Sequence, residues 1–180
     1  MVERKKYVFR LSFSQRHIAD YYQYEAILNE YRTANTSDER NTALRALGRA
    51  KDPELIQKTL SLPLSTEVKG QDIYLPLGGL RTHPAGIEAL WTWCTENWEA
   101  LVVKLPPGLS MLGSVVSICT SSFTSKDQAA RIKEFYSQKS TKGFDQSLAQ
   151  SLDAIKAKSN WIERDSDDVK AWLKGKGYVH

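Results

Sequence analysis

Residues Gln71 to Leu101 decide the fold of this chain, and they read QDIYLPLGGLRTHPAGIEALWTWCTENWEAL. The first part has the character of a helix, which we expect to break at Gly78–Gly79 because glycine disfavours helix interiors. A second helix is expected to start at Pro84, since proline is well tolerated at the first helical position. It carries three of the five tryptophans of the chain, namely Trp91, Trp93 and Trp98. The stretch therefore predicts a helical hairpin with a large aromatic surface.

Apolar residues of the second helix recur at the spacing that places them on one helical face. This face contains Ile87, Leu90, Trp91, Cys94, Trp98 and Leu101. Trp93 falls outside it, so we expect the helix to pack on two sides. Trp91 and Trp98 are then predicted to lie between helical layers rather than to contact a ligand.

Helical periodicity continues through the other segments of the chain, and no strand-like alternation persists. Gly48 is expected to end one helix, and Asp52–Pro53 to open the next as a cap followed by proline. A capping box is predicted at Ser125–Gln128. Separate helices are expected to carry Phe144 to Ile155 and Val169 to Leu173. We predict an all-α fold of eight or nine helices in antiparallel pairs, stacked as an irregular α-solenoid like HEAT or armadillo repeats.

The composition, with 41% hydrophobic and 26% charged residues, suits one globular domain. Residues 1–17 contain five basic side chains and one acidic one, which accounts for the whole formal net charge of +4. We therefore predict a basic leader over 1–22, disordered or divergent, a helical domain over 23–174 and a frayed tail over 175–180. A nucleic-acid-binding arm or an organelle presequence is the alternative for the leader.

Several classes of protein are disfavoured by the sequence. No apolar run approaches the ~18 to 20 residues of a membrane span, and residues 1–20 lack the apolar segment of a secretory signal. Nucleic-acid binding is disfavoured because the aromatic residues fall on predicted core stripes, away from the basic leader. Cys94 and Cys119 lie in apolar stretches and predict buried free thiols, which favours a reducing compartment such as the cytoplasm.

Catalytic patterns are also missing from the sequence. A zincin site needs His-Glu-x-x-His, which places two imidazoles on one helical face beside a glutamate that polarises the metal-bound water. The three histidines, His17, His83 and His180, are too far apart for this pattern. A nucleophilic pair of His83 with Cys94 or Cys119 is the alternative, but we favour core packing of both thiols. We expect no catalysis by this chain on its own, and no metal or other cofactor.

A set of short segments, in order from Tyr24 to Leu173, resembles one known family. The segments are Thr36–Asn41, Asp52–Ile56, Gln71–Asp72, Trp91 with Asn97–Trp98, Gly108–Phe123, Ile132–Phe135, Asn160–Trp161 and Val169–Leu173. They resemble the C-terminal domain of the zinc aminopeptidases related to the puromycin-sensitive and endoplasmic-reticulum enzymes, and most of all the cytosolic, puromycin-sensitive-like branch. Residues 1 to about 22 do not resemble the family.

The resemblance implies a bowl of helices that caps the active site of a separate catalytic domain and contacts the distal end of a peptide. Full-length members would remove N-terminal residues from peptides, and zinc is expected only in the catalytic domain. Neither that domain nor its zinc ligands are present in this sequence. The chain is therefore expected to be a truncated, shortened or rearranged gene product, or a separately encoded copy of the domain.

Three residues are candidates for peptide binding. Arg81 and His83 lie at the predicted tip of the hairpin, where a guanidinium can pair bidentately with a peptide C-terminal carboxylate. A solvated turn arginine is the alternative for Arg81. Lys104, before the break at Pro106–Pro107, is the third candidate. The predicted partners are a peptide substrate and an aminopeptidase catalytic domain; the alternative function is an independent helical-repeat adaptor that binds a protein or peptide.

Overall fold

The computed structural model of the protein describes residues 13–106 and 110–178. Within these ranges the chain forms nine α-helices, one short 3₁₀ helix and no strand. The helices are α1 (Phe13–Thr33), α2 (Ser37–Leu47), α3 (Pro53–Ser61), α4 (Tyr74–Leu80), α5 (Pro84–Glu96), α6 (Trp98–Lys104), α7 (Ser110–Thr120), α8 (Lys126–Ser137) and α9 (Asp145–Gly175), with the 3₁₀ helix at Gly70–Asp72. The all-α prediction and the expected number of helices are confirmed.

The helices stack in two layers that follow the order of the chain. In one layer α1 packs on α2, α2 on α4, α4 on α7, and α7 on α9. In the other layer α3 packs on α5. Of the same layer, α5 lies against α7 of the first layer and α8 lies against α9. Each helix therefore contacts mainly helices that are near it in sequence, which is the arrangement of an α-solenoid.

Local capping explains where several helices start. The Asp52 carboxylate accepts a hydrogen bond from the backbone N–H of Glu54 at 2.9 Å, directly before the proline that opens α3. The Ser125 hydroxyl accepts from the backbone N–H of Gln128 at 3.2 Å, and the Gln128 side chain accepts in return from the backbone N–H of Ser125 at 3.1 Å. Both predicted caps are confirmed, because a cap depends only on residues within one turn.

The beginning of the domain differs from the prediction. The expected boundary at residue 22 falls inside α1, which runs from Phe13 to Thr33 without a break. The later turns of α1 bury Tyr24, Leu28 and Tyr31 in a core shared with α2 and α3, and the helix continues towards the N-terminus from that packed part. The remaining residues of the predicted leader, 1–12, lie outside the described residues.

The C-terminal region also differs from the prediction. The two helices expected around Phe144 to Ile155 and Val169 to Leu173 are parts of α9, a single helix of 31 residues. Neither glycine nor proline interrupts the sequence between them. The acidic run that suggested a new helix start lies inside the helix, where Asp165 is ion-paired to its neighbour Arg164 at 2.7 Å. α9 ends at Gly175, and residues 179–180 lie outside the described residues.

The tryptophans pack as the sequence predicts. Trp91 and Trp98 are both buried, although the helix expected to join them is interrupted at Asn97, whose backbone leaves helical geometry at φ −108° and ψ 17°. Their rings make edge-to-face contacts, with centroids 5.1–5.9 Å apart, to Phe123, Phe135, Tyr136 and Phe144. Trp93 is also buried and lines a cavity shared with α3, and α5 contacts α3 as well as α7, which confirms packing on two sides.

A very close contact between helices joins the end of α2 to α4. A Cβ atom at Gly48 would lie 2.1 Å from the carbonyl oxygen of Pro76, and one at Gly79 would lie 2.5 Å from the carbonyl oxygen of Gly48. The predicted break at Gly78–Gly79 is wrong, because α4 continues to Leu80. These glycines allow close packing, and Pro76 is tolerated because it lies in the first turn of α4, where its missing N–H has no helical partner.

Replacing Gly79 by alanine should lower the free energy of unfolding by about 1–3 kcal/mol, because the new methyl group meets backbone that no side-chain rotation can move. Gly78→Ala is the matched control, since a Cβ at Gly78 has nothing within 4 Å. It should leave stability unchanged or raise it, because alanine favours the helix. Urea denaturation of both variants measures the difference, and equal stabilities would contradict this explanation of the contact.

Candidate functional site

An open groove of ≈ 500 Å³ lies where α2, α4 and the start of α5 meet. α2 and the turn after it supply Arg45, Arg49 and Lys51, and α4 supplies Tyr74 and Leu75. The remaining walls are Gly78, Gly79, Thr82 and His83. We call Arg45, Arg49 and Lys51 the basic wall of the groove, and Tyr74 and Leu75 its apolar wall. Because the groove borders the close contact between α2 and α4, that contact fixes the distance between the two walls.

The groove is electropositive. Arg45 lies in the last turn of α2, Arg49 lies in the turn directly after the helix, and Lys51 follows two residues later. No carboxylate lines the groove, and within residues 13–106 and 110–178 none of the three cations is in an ion pair. Clustered charges of one sign in a concave site raise the local concentration of an opposite charge. The arrangement is thus suited to a ligand with a carboxylate.

His83 is positioned by the start of α5. It is the N-cap residue, and its Nδ1 accepts a hydrogen bond from the backbone N–H of Gly86 at 3.1 Å. In a neutral imidazole the other nitrogen, Nε2, then carries the hydrogen. Nε2 is buried and has no hydrogen-bond partner among the described residues. The sequence analysis had not assigned the capping role of His83, although a polar residue directly before Pro84 is a signal for it.

The three predicted site residues are not brought together. His83 lines the groove, whereas Arg81 is exposed at the end of α4 and does not. Lys104 lies elsewhere: its ammonium donates to the carbonyl oxygens of Ser65 and Val68 at 2.6 and 2.8 Å. Burial lowers the pKa of Lys104. The contacts of Lys104 fix the loop after α3, while a role of Arg81 or Lys104 in peptide binding stays a prediction.

The basic wall of the groove, formed by Arg45, Arg49 and Lys51, was not predicted from the sequence. Arg45 is exposed in the last turn of α2 and Arg49 is exposed in the turn after it, and exposed arginines are common on any solvated surface. They form the wall of a groove only because Tyr74 and the turn between α4 and α5 lie beside them. That neighbourhood results from the packing of α2 on α4, which are separated in the sequence. One feature of the sequence does indicate such a neighbour. Gly48 lies between Arg45 and Arg49, and a glycine at the end of a helix allows another helix to pack closely against it.

The cysteines pack as predicted. Cys94 and Cys119 are both buried free thiols, and the Cys94 sulfur lies 3.9 Å from the Tyr136 hydroxyl. A hydrogen bond with Cys94, together with burial, raises the pKa of the Cys119 thiol. Cys94 therefore lies between Cys119 and the Tyr136 hydroxyl, whereas the Nδ1 of His83 accepts from the backbone N–H of Gly86.

Residues 13–106 and 110–178 contain no group of three or more His, Cys, Asp or Glu side chains placed to hold a metal ion. None of the helices in these ranges has both the length and the apolar character needed to cross a bilayer.

The layered helical fold and its sequence define a domain of the aminopeptidases. Residues 5–157 match the family described as ERAP1-like C-terminal domain, which is most of the chain, and the chain belongs to that family. Its relatives are aminopeptidases of the M1 family, so the resemblance expected from the sequence is confirmed. The match begins at residue 5, inside the leader that was expected to be divergent.

Three relatives illustrate the extent of the similarity. Aminopeptidase 2, mitochondrial, from Saccharomyces cerevisiae is 52% identical over 155 residues, which is 86% of this chain and 16% of the relative. Aminopeptidase 2 from Candida albicans is 49% identical over 157 residues, or 87% and 17% of the two chains. Aminopeptidase M1-B from Oryza sativa is 33% identical over 140 residues, or 78% and 16%. The chain thus spans only 16–17% of the length of these relatives.

Replacing Lys104 by methionine should lower the free energy of unfolding by about 1–3 kcal/mol, because two carbonyl oxygens lose a charged donor. Lys69→Met is the control, since Lys69 is exposed in the same region. Urea denaturation measures both variants. A Lys104→Met protein with wild-type stability and weakened peptide binding would instead assign Lys104 to the ligand.

Native protein should react slowly with a disulfide reagent such as DTNB at mildly alkaline pH. The raised pKa of Cys119 keeps its thiol protonated, and burial excludes the reagent from both sulfurs. After unfolding in guanidinium both thiols should react at once. Rapid labelling of either cysteine in the folded protein would contradict the buried, unreactive assignment.

Proposed function

We propose that this chain acts as the non-catalytic C-terminal domain of a zinc aminopeptidase, where it caps the active-site chamber and helps to bind the peptide substrate. Membership of the ERAP1-like C-terminal domain family supports the proposal. The relatives are named aminopeptidases and are about six times longer than the matched segment, which leaves room for a catalytic domain outside it. The zinc ligands are expected in that domain, and the chemistry of peptide cleavage would take place there.

The electropositive groove is the observation that supports peptide recognition. A peptide of any sequence with a free C-terminus ends in a carboxylate, and guanidinium groups bind carboxylates through paired, charge-assisted hydrogen bonds. Arg45 and Arg49 are exposed and have no ion-pair partner among the described residues. Tyr74 and Leu75 form an apolar wall beside them, against which the last side chain of the peptide would pack.

In this arrangement the domain holds the end of the peptide that is not cleaved. An aminopeptidase acts at the N-terminus, so a contact at the opposite end leaves the scissile bond free to reach the catalytic domain. Binding energy from such a remote contact is available to position the reacting end. The buried free thiols favour a reducing compartment, for which the cytoplasm is our proposal.

A labelled peptide of eight to ten residues, made with a free C-terminal carboxylate and with a C-terminal amide, tests the proposal on the full chain by fluorescence anisotropy. The carboxylate form should bind about tenfold or more tightly, because a charge-assisted hydrogen bond contributes about 1.5–3 kcal/mol. Arg49→Gln should remove most of that preference. Raising the salt concentration should weaken binding of the carboxylate form only.

Arg40→Gln is the matched control, because Arg40 is an exposed arginine on α2, the helix that leads to Arg49, but does not line the groove. It should bind both peptides as the wild type does. Equal affinity for the carboxylate and the amide, or equal losses in the Arg40 and Arg49 variants, would exclude the groove as the site that recognises the peptide terminus.

A further inference from the structure

The C-terminal half of α9 projects from the rest of the domain. Ser159 is the last buried residue of the helix, and no residue from Asn160 to Tyr178 is buried. The first half of α9 carries the buried residues and packs on α7 and α8. The family match also ends near this point, at residue 157. The projecting half therefore adds little to the core of the domain itself.

The projecting half has an apolar face. Its large hydrophobic side chains are exposed, with 52% of Trp161, 39% of Ile162, 40% of Val169 and 58% of Trp172 accessible. At 100° per residue these four and Leu173 fall within about 120° of the helix circumference. The same arc contains Asp165, whose carboxylate is ion-paired to the neighbouring Arg164. Glu163, Lys170 and Lys174 lie on the opposite side. The helix is thus amphipathic along a stretch where most of its apolar side is accessible among the described residues; the Tyr178 ring, itself 71% exposed, lies beside Trp172 with centroids 6.1 Å apart.

Such a helix needs a partner. A lone helical segment of about 16 residues is only marginally stable in water, and helices in proteins are stabilised mainly by burying an apolar face. Beyond Ser159 the described contacts with other helices include one exposed ion pair, from Lys126 to Glu163 at 2.7 Å. Exposed ion pairs contribute little to stability. Two half-exposed tryptophans on one face are typical of an interface rather than of a free surface.

We propose that this apolar face docks against the catalytic part of an M1 aminopeptidase, the part that the relatives carry outside the matched segment. The inference rests on the proposed function and names the surface through which the two parts would be joined. The relatives extend well beyond this domain, since the match covers only 16% of Aminopeptidase 2 from S. cerevisiae. The complementary surface would be an apolar groove that receives Trp161 and Trp172.

A second copy of this chain is a less suitable occupant. The exposed apolar side chains of the face amount to roughly 400 Å² per copy, so a symmetric pair would bury about 800 Å², below the ~1,200 Å² of small stable interfaces. Two separate molecules must also offset their lost translational and rotational freedom. A contact between parts of one enzyme does not carry that cost, so the same area is sufficient there.

A full-length chimera tests the inference. This chain replaces the 155-residue segment that it matches in Aminopeptidase 2 of S. cerevisiae, and aminopeptidase activity and melting temperature are measured. The double substitution Trp161→Gln and Trp172→Gln should lower the melting temperature of the chimera by about 5 °C or more and reduce its activity severalfold. The same double substitution in the isolated chain should leave its melting temperature unchanged, because both side chains are exposed there.

Two controls accompany the double variant. Trp172→Phe keeps an aromatic ring on the face and should behave like the unsubstituted chimera. Tyr22→Gln removes an exposed aromatic ring from α1, where 71% of the side chain is accessible, and should also have no effect.

The possible failures are distinguishable. An unsubstituted chimera that is inactive or unfolded would overturn the proposed function, and the docking inference with it. An active chimera that tolerates the double substitution would overturn the docking inference alone and leave the function in place. Dimerisation of the isolated chain that the double substitution abolishes would show that the face binds a second copy, and would also overturn the inference.

Discussion

Helices α2 and α4 approach so closely at Gly48 and Gly79 that neither backbone has room for a Cβ atom. α4 is the element on which the rest of the fold converges. Its Leu75 belongs to the hydrophobic core built around α1, α2 and α3, whereas Leu77 and Leu80 belong to the larger core that extends to α9. The glycine contact therefore joins the two cores, and it also brings the basic side of α2 against the apolar side of α4. Any change that separates the two helices alters the stability of the domain and the shape of the groove together.

The tryptophans show how position, rather than residue type, determines the role of a side chain. Trp91 and Trp98 are 5% exposed and lie among aromatic rings from α8 and from the ends of α7 and α9. Trp161 and Trp172 are more than half exposed, on the part of α9 that lies beyond the helices of the core. The first pair stabilises the domain by burial. The second pair remains accessible on the surface of the described domain and contributes little to its core.

Features that depend on neighbouring residues were predictable from the sequence, and features that depend on distant contacts were not. The cap at Asp52 and the two-sided packing around Trp93 follow from spacing within one or two turns. The continuity of α9 was missed because acidic residues such as Asp165 favour a helix start without requiring one. His83, a candidate for peptide binding from the sequence, lies in the groove wall, whereas Arg49 was not predicted, since nothing in its own segment indicates that α4 packs beside it. The family could be recognised because many weak segments occur in the right order, which requires no contact to be known.

The most direct test of the proposed recognition site is an NMR titration of the isotopically labelled chain with a peptide that has a free C-terminal carboxylate. Binding in the groove predicts that the backbone amide signals of Gly78, Gly79 and Thr82 shift together with the Arg49 side-chain signal, while the signals of the loop held by Lys104 stay in place. Shifts confined to that loop or to α9, or no shifts at a peptide concentration that saturates binding in the anisotropy experiment, would contradict the assignment of this groove to the peptide terminus.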